Sequence, residues 1–431
     1  MRDLVALAGL TVGLLSPVVL TTPAQAVGET CNGLAATLVG TPGSTVTGTD
    51  GADVIVSNGA TLVEAMGGDD VICTTSSVHT SGNVYWVGVL GGAGNDVLDR
   101  RGDTDPKASS MLRGDAGQDT IYGSPASDVV KGNDGEADRV ETFGGDDQVG
   151  ESFVAGEPAD PDTVDLGSGD DVFAANYPFS PSLTVDGADG LDRIDMQLST
   201  DGSWVVDARG GRLRHGSDAA FGFGGFESYD AEIRQPRGSV TFLGTDAGER
   251  FTATARRVTA KTAGGNDTVE LSELSRHIAV DAGPGRDAVS LWGRDLAVLT
   301  VDLPRQRLRE TARSQTVSDG SIRHVEDVDV DGGTVRVIGT STDNVLTVRS
   351  CRGAVVTAGA GDDEIILSRR PFNVCLPGTA PHAYGGPGDD VLLGSAVADV
   401  LDGGPGHDRA DGKRGRDICR SVETSAHCEL R

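Results

Sequence analysis

The chain has 431 residues, of which 62 are Gly and only 4% are aromatic, and its formal net charge is −29. So few large apolar side chains argue against one compact globule of this length, and so acidic a surface is a poor partner for nucleic acid. A repetitive β-architecture, whose core is one side chain deep, can be built from Val, Ile and Leu alone.

At the N-terminus, Met1 and Arg2 lead into an apolar stretch from Leu4 to Leu20 that runs to Ala24-Gln25-Ala26. This is the pattern of an export signal, so residues 1–26 are expected to be a signal peptide cleaved after Ala26. The apolar run is broken by Gly, Ser and Pro and is too short to argue for a membrane anchor. No later stretch has spanning length, so no transmembrane segment is expected after cleavage and the location is expected to be extracellular. All six cysteines, Cys31, Cys73, Cys351, Cys375, Cys419 and Cys428, follow that point. An even count in an exported chain suggests disulfides, and although several connectivities are possible, proximity favours Cys31–Cys73, Cys351–Cys375 and Cys419–Cys428. The first would fasten one end of a β-stack and the last would close the other.

In residues 27–184 a nine-residue pattern appears, G-G-x-G-x-D-x-U-x with U apolar, and GGAGNDVLD from Gly91 to Asp99 matches every defined position. Glycines allow the tight turn and the approach of carbonyls to a cation. The Asp supplies a hard anionic oxygen, and x-U-x forms a short strand with U pointing inward. GTDGADVIV and MGGDDVIC place Asp53 and Asp70 about one coil apart, and a tandem block then places Asp119, Asp128, Asp138 and Asp147 at near-nine spacing. Single copies follow at Asp171 and Asp192.

Residues 185–368 hold a longer duplication. VDGADGLDRI corresponds to VDAGPGRDAV, WVVDARGGRL to LTVDLPRQRL, and TAGGNDTVELS to TAGAGDDEIILS, at an offset close to 95 residues. Isolated nonapeptide turns survive at Asp267, Asp287 and Asp363. Short Val-rich strands alternating with turns suggest a degenerate stretch of the same solenoid, the alternative being two β-sandwich-like domains.

Residues 369–431 carry the clearest tandem block: Asp390, Asp399, Asp408 and Asp417 are nine residues apart, and Gly388, Gly406 and Gly415 each lie two residues before one of them. Two nonapeptides complete a coil, so Asp390 should stack with Asp408 and Asp399 with Asp417. Strands about 4.8 Å apart and Ca–O bonds of about 2.4 Å leave room for one ion between carboxylates of successive coils. The acids are concentrated in these turns, which favours ion binding over a general solubility charge.

The repeats resemble the RTX, or hemolysin-type calcium-binding, family, and CNGLAATLVGTPGSTVTGTDGADVIV and GRDICRSVETSAHCEL resemble the ends of its secreted actinobacterial members. The resemblance implies an all-β, right-handed parallel β-roll holding several calcium ions, with the sixth-position Asp carboxylates and Gly-turn carbonyls as ligands. Carried onto this chain, the ligands are Asp53, Asp70, Asp96, Asp119, Asp128, Asp138, Asp147, Asp171, Asp192, Asp363, Gly388, Asp390, Asp399, Gly406, Asp408 and Asp417. Ala396-Val397-Ala398 and Pro125-Ala126-Ser127 depart from the glycine-centred turn, and Arg409 and Arg416 set cations beside two of the carboxylates.

No G-x-S-x-G elbow or H-E-x-x-H helix is present and the seven histidines are dispersed, so no enzymatic activity is expected. A structural or adhesive role remains, with a calcium-dependent polysaccharide-active or polysaccharide-binding protein as the alternative. Cell-surface glycans or matrix would be the partners, and Trp86, Trp204 and Trp292 are the candidates for sugar stacking, or else core and cap residues.

Overall fold

The computed structural model describes residues 28–75, 86–131, 136–150, 162–198, 202–233, 238–272, 275–369 and 378–429. The expected signal peptide and Cys375 lie outside them. Among the described residues every regular element is a β-strand, and no helix is long and apolar enough to cross a membrane.

The three-residue strands form because x-U-x buries only its central side chain. In Val71–Cys73, Thr120–Tyr122, Val391–Leu393 and Val400–Asp402 the middle residue is buried and its neighbours are partly exposed. Each coil gives one strand to each of two faces, and strands on a face pair in parallel. One face runs Leu38–Val39, Val54–Val56, Val71–Cys73, Val97–Asp99, Thr120–Tyr122, Arg139–Glu141, Thr163–Asp165, Thr184–Asp186. The other runs from Thr45–Thr47 through Leu62–Glu64, Val87–Ala93 and Ser110–Ala116 onward. Inward residues such as Ile72, Leu98, Ile121, Val63, Val89 and Leu112 stack into one narrow core. The chain is thus an all-β parallel β-roll.

The duplicated middle belongs to the same stack. Strand Arg193–Leu198 pairs in parallel with Ser228–Ile233, which leads through Arg250–Thr254 and Thr268–Leu271 to Ala288–Trp292 and Asp327–Ile338. What the 95-residue period encodes is an insertion. On one face, Ser203–Asp207, Arg212–His215 and Asp218–Gly224 form an antiparallel meander, and Val298–Asp302, Arg307–Ala312 and Gln315–Arg323 form its counterpart. Each meander sits between parallel neighbours, Thr184–Asp186 and Ser239–Leu243 in the first case. Sandwich-like domains are therefore absent from the described middle.

Disulfides join Cys31 to Cys73, with Cα atoms 5.5 Å apart, and Cys419 to Cys428, at 5.8 Å, one near each end of the stack. The expected Cys351–Cys375 pair falls partly outside the described residues.

Candidate metal centres

At the repeat turns the sixth-position residue, just before the short strand, is turned inward, and its side chain joins consecutive coils. Asp53 N–H donates to Asp70 Oδ1 at 2.7 Å, Asp70 N–H to Asp96 at 2.8 Å, Asp96 N–H to Asp119 at 2.8 Å, Asp119 N–H to Asp138 at 2.7 Å and Asp138 N–H to Asp162 at 2.8 Å. A second file runs Asp128, Asp147, Asp171, Asp192, Glu227. A third runs Glu249, Asp267, Asp287, Glu326. A fourth runs Asn344, Asp363, Asp390, Asp408, Glu423, and a fifth Asp399, Asp417, Glu429.

The expected stacking of Asp390 with Asp408 and of Asp399 with Asp417 is present. Its form differs from two carboxylates facing each other across an ion, because one oxygen of Asp390, of Asp408 and of Asp417 is already taken by an amide of the preceding coil. That amide is a strong local donor that fixes the register of the stack.

The other oxygen divides the turns into two kinds. Among the described residues the second oxygens of Asp70, Asp96, Asp171, Asp192, Asp287, Asp363, Asp390, Asp408 and Asp417 are buried and meet no donor. In the turns before these residues the second position of the nonapeptide is left-handed: Met66, Gly92, Gly167, Ala188, Gly283, Gly359, Gly386, Gly404 and Lys413. Asp115, Phe143 and Ala263 do the same ahead of Asp119, Asp147 and Asp267. The first glycine lies under the carboxylate, so that a Cβ on Gly385 would collide with Asp390 and with the Gly403 carbonyl. The carbonyls of Gly386 and Gly388 face the Cα atoms of Gly404 and Gly406, where a Cβ would strike them. Gly388 and Gly406, with φ of 146° and 156°, are glycines for both reasons.

The second kind of turn has Ser or Thr at that position. Ser395 N–H and Oγ donate to Asp399 Oδ2 at 2.6 and 3.0 Å, Ser124 to Asp128 at 2.7 and 3.1 Å, and Thr49 to Asp53 at 2.8 and 2.9 Å. Thr340 does the same to Asn344 Oδ1 at 2.7 and 3.1 Å, and Thr245 to Glu249 Oε1, whose Oε2 is left buried without a donor. Asp53, Asp128 and Asp399, expected from the sequence to resemble the other repeat acids, therefore have different surroundings. Asp128 also has the fully buried Arg100 beside it, Nε to Oδ1 3.5 Å.

Burial pushes the carboxyl of Asp390 up to about 6; the Asp363 amide pulls it back and the Asp408 carboxylate adds to the rise. The same causes take Asp96 up to about 7 and Asp147 up to about 9. A carboxylate there is short of positive charge. Outside the fourth file runs an exposed one from the fifth position, in which Asp362 N–H meets Asp343, Asp389 N–H meets Asp362 and His407 N–H meets Asp389, each at 2.8 Å.

Sequence reasoning did not reach Asp162, Glu227, Glu249, Glu326, Asn344, Glu423 and Glu429 as members of the files. A signal for four of them exists. In Gly225-Phe-Glu227, His324-Val-Glu326, Ser421-Val-Glu423 and His427-Cys-Glu429 a left-handed residue precedes a half-buried or buried one and then Glu. The longer side chain reaches the amide of the preceding file member where the full glycine turn is missing.

The sugar-stacking candidates are scattered. Trp204 is 1% exposed and stacks on His215 with ring centroids 4.2 Å apart, which removes it as a glycan platform and makes it core. Trp86 is half exposed and lies well apart in the chain.

Buried carboxylate oxygens without donors, glycine cradles and stacked carbonyls form a set of hard oxygen donors, which is the chemistry calcium takes. Among the described residues no three His, Cys, Asp or Glu side chains converge on one point, so an ion here would draw much of its shell from carbonyls. The family model of the RTX calcium-binding nonapeptide repeat matches in four copies, over residues 111–137 and 384–419. No curated protein matches the chain. The matched segments hold Asp119 and Asp128 in one block and Asp390, Asp399, Asp408 and Asp417 in the other. These two segments carry calcium-binding nonapeptide repeats of the RTX type.

Proposed function

We propose that the protein is a secreted structural or adhesive rod, with no enzymatic activity, whose β-roll is completed by calcium outside the cell. The observation that carries this reading is the series of buried carboxylate oxygens without donors, each in a turn whose second residue is left-handed. Leaving such an oxygen buried and unpaired is costly, and a bound calcium ion supplies the missing positive charge. Asp70, Asp96, Asp171, Asp192, Asp363, Asp390, Asp408 and Asp417 would hold ions in this way, as would Asp287, which the sequence expectation omits. Asp119, Asp147 and Asp267 join them by their repeat position and their places in the files. Asp138, assigned by its repeat position and its place in the first file, would do so too. The cleavable signal at residues 1–26, the cysteine pairs and the large acid excess support location in a calcium-rich, oxidising medium.

For a Kd near 10⁻⁴ M in about 1 mM calcium, each site contributes roughly 1.4 kcal/mol. Thermal melting of the mature chain by circular dichroism should therefore show a clear rise in midpoint on adding calcium. Asp408→Ala should reduce that rise. Asp302→Ala, at the end of strand Val298–Asp302 and paired with Arg305, should leave it unchanged. Equal melting of the wild type in calcium and in chelator would refute the proposal.

A further inference from the structure

We infer that the turns built on Thr49, Ser124, Thr245, Thr340 and Ser395 take no part in calcium binding, and that their hydroxyls do for the turn what the ion does elsewhere. This inference rests on the calcium reading above and sorts its sites.

The hydroxyl makes the turn self-sufficient. It donates to the sixth-position side chain and accepts from the fourth-position amide: Val397 N–H to Ser395 Oγ at 3.3 Å, Ala126 N–H to Ser124 at 3.3 Å, Ala247 N–H to Thr245 at 3.1 Å, Thr342 N–H to Thr340 at 3.2 Å and Gly51 N–H to Thr49 at 3.2 Å. In the glycine turns the same amide instead reaches across to the next coil, as Gly388 N–H does to the Pro405 carbonyl at 3.0 Å. None of the five Ser and Thr residues is left-handed, so the second position of these turns runs differently, although a first glycine still lies under the side chain at Gly123, Gly244, Gly339 and Gly394.

Substitutions inside these turns agree. Asn344 is neutral where calcium would want a carboxylate, and its Nδ2 donates to the Glu326 carbonyl at 2.7 Å. At Asp128 a guanidinium already stands beside the carboxylate, since Arg100 is buried against it. In the turn of Glu249, Arg209 Nε donates to the carbonyl of Gly244, its first residue. A positive group or a neutral side chain thus sits where an ion would be needed.

Their placement gives the arrangement a purpose. Each of the five stands first in its file, ahead of Asp70, Asp147, Asp267, Asp363 and Asp417. A first member has no file amide to complete its carboxylate, and the hydroxyl meets that need without an ion, save at Glu249. There Thr245 serves one oxygen, Oε2 stays buried without a donor, and the Arg209 guanidinium stands by the turn. The five turns act as ion-free starting caps from which calcium-filled coils continue.

Equilibrium dialysis of the mature chain against calcium, with the bound metal counted, tests this. Asp399→Asn copies the arrangement found at Asn344 and should bind as much calcium as the wild type with unchanged affinity. Glu249→Gln should do the same in another file. Asp408→Asn should bind measurably less. Loss of calcium by Asp399→Asn and Glu249→Gln to the extent seen in Asp408→Asn, with unchanged dichroism spectra in calcium, would overturn the inference. A wild type that binds no calcium would overturn the reading beneath it instead.

Discussion

At the residue scale, one position decides the chemistry and the residue four places before it decides the kind of site. A buried Asp with one oxygen on an amide and the other on nothing prefers to be protonated, which is why Asp390 and Asp96 rise to about 6 and about 7. The sign follows from linkage. The folded value lies above the unfolded one near 4, so without metal the fold holds more protons than the unfolded chain between those pH values, and its stability falls as pH rises through that window. In chelator the melting midpoint should therefore drop between pH 4.5 and pH 7.5, whereas in calcium the drop should be abolished or reversed. A midpoint in chelator that climbs over that range would contradict the assignment. The sixth-position acids were legible in the sequence because Gly and Asp recur at fixed spacing. The capping role of Ser395 or Thr340 was not, because the motif treats those positions only as departures from Gly. Asn344 and Glu249 escaped for the same reason.

At the scale of elements, x-U-x strands were legible because a single inward side chain per strand leaves a period-two signature, as in Val391–Leu393. The meanders were visible only as a 95-residue echo, since antiparallel and parallel strands share that signature. Each meander gives one face two more strands than the other, about 10 Å of extra width, which the roll must absorb by bending or twisting. The first is filled by rings: Trp204, Phe221, Phe242 and Phe251 are almost wholly buried, and Phe242 stacks on Phe251 with centroids 4.5 Å apart. The second uses aliphatic residues such as Leu299 and Leu308 with the buried Glu310, held by Arg294. This middle packs much as an ordinary protein core does. Phe242→Ala should cost ~3–5 kcal/mol, and the loss should be the same in calcium and in chelator when measured by denaturant unfolding. A loss confined to chelator would mean that the middle depends on the ion files as well.

At the scale of the whole molecule, the stack runs, among the described residues, as five files with a hydroxyl turn at the head of each. Four end on a Glu: Glu227, Glu326, Glu423 and Glu429. The disulfides Cys31–Cys73 and Cys419–Cys428 sit near the two ends, where unpaired strand edges would otherwise invite association. Both pairings were legible from proximity, while the continuity of the middle was not, because its long-range pairing leaves no local trace. The net charge of −29 follows from the inner and outer files together, and self-repulsion of that size is relieved when cations bind. On the proposed function, calcium completes the glycine turns of a roll whose caps and aromatic middle hold without it. Hydrogen exchange of the mature chain, resolved by peptide in calcium and in chelator, tests this most directly. Amides at 385–420 should lose protection in chelator, while those at 239–261 should keep most of theirs; equal protection of both segments in the two conditions would contradict it.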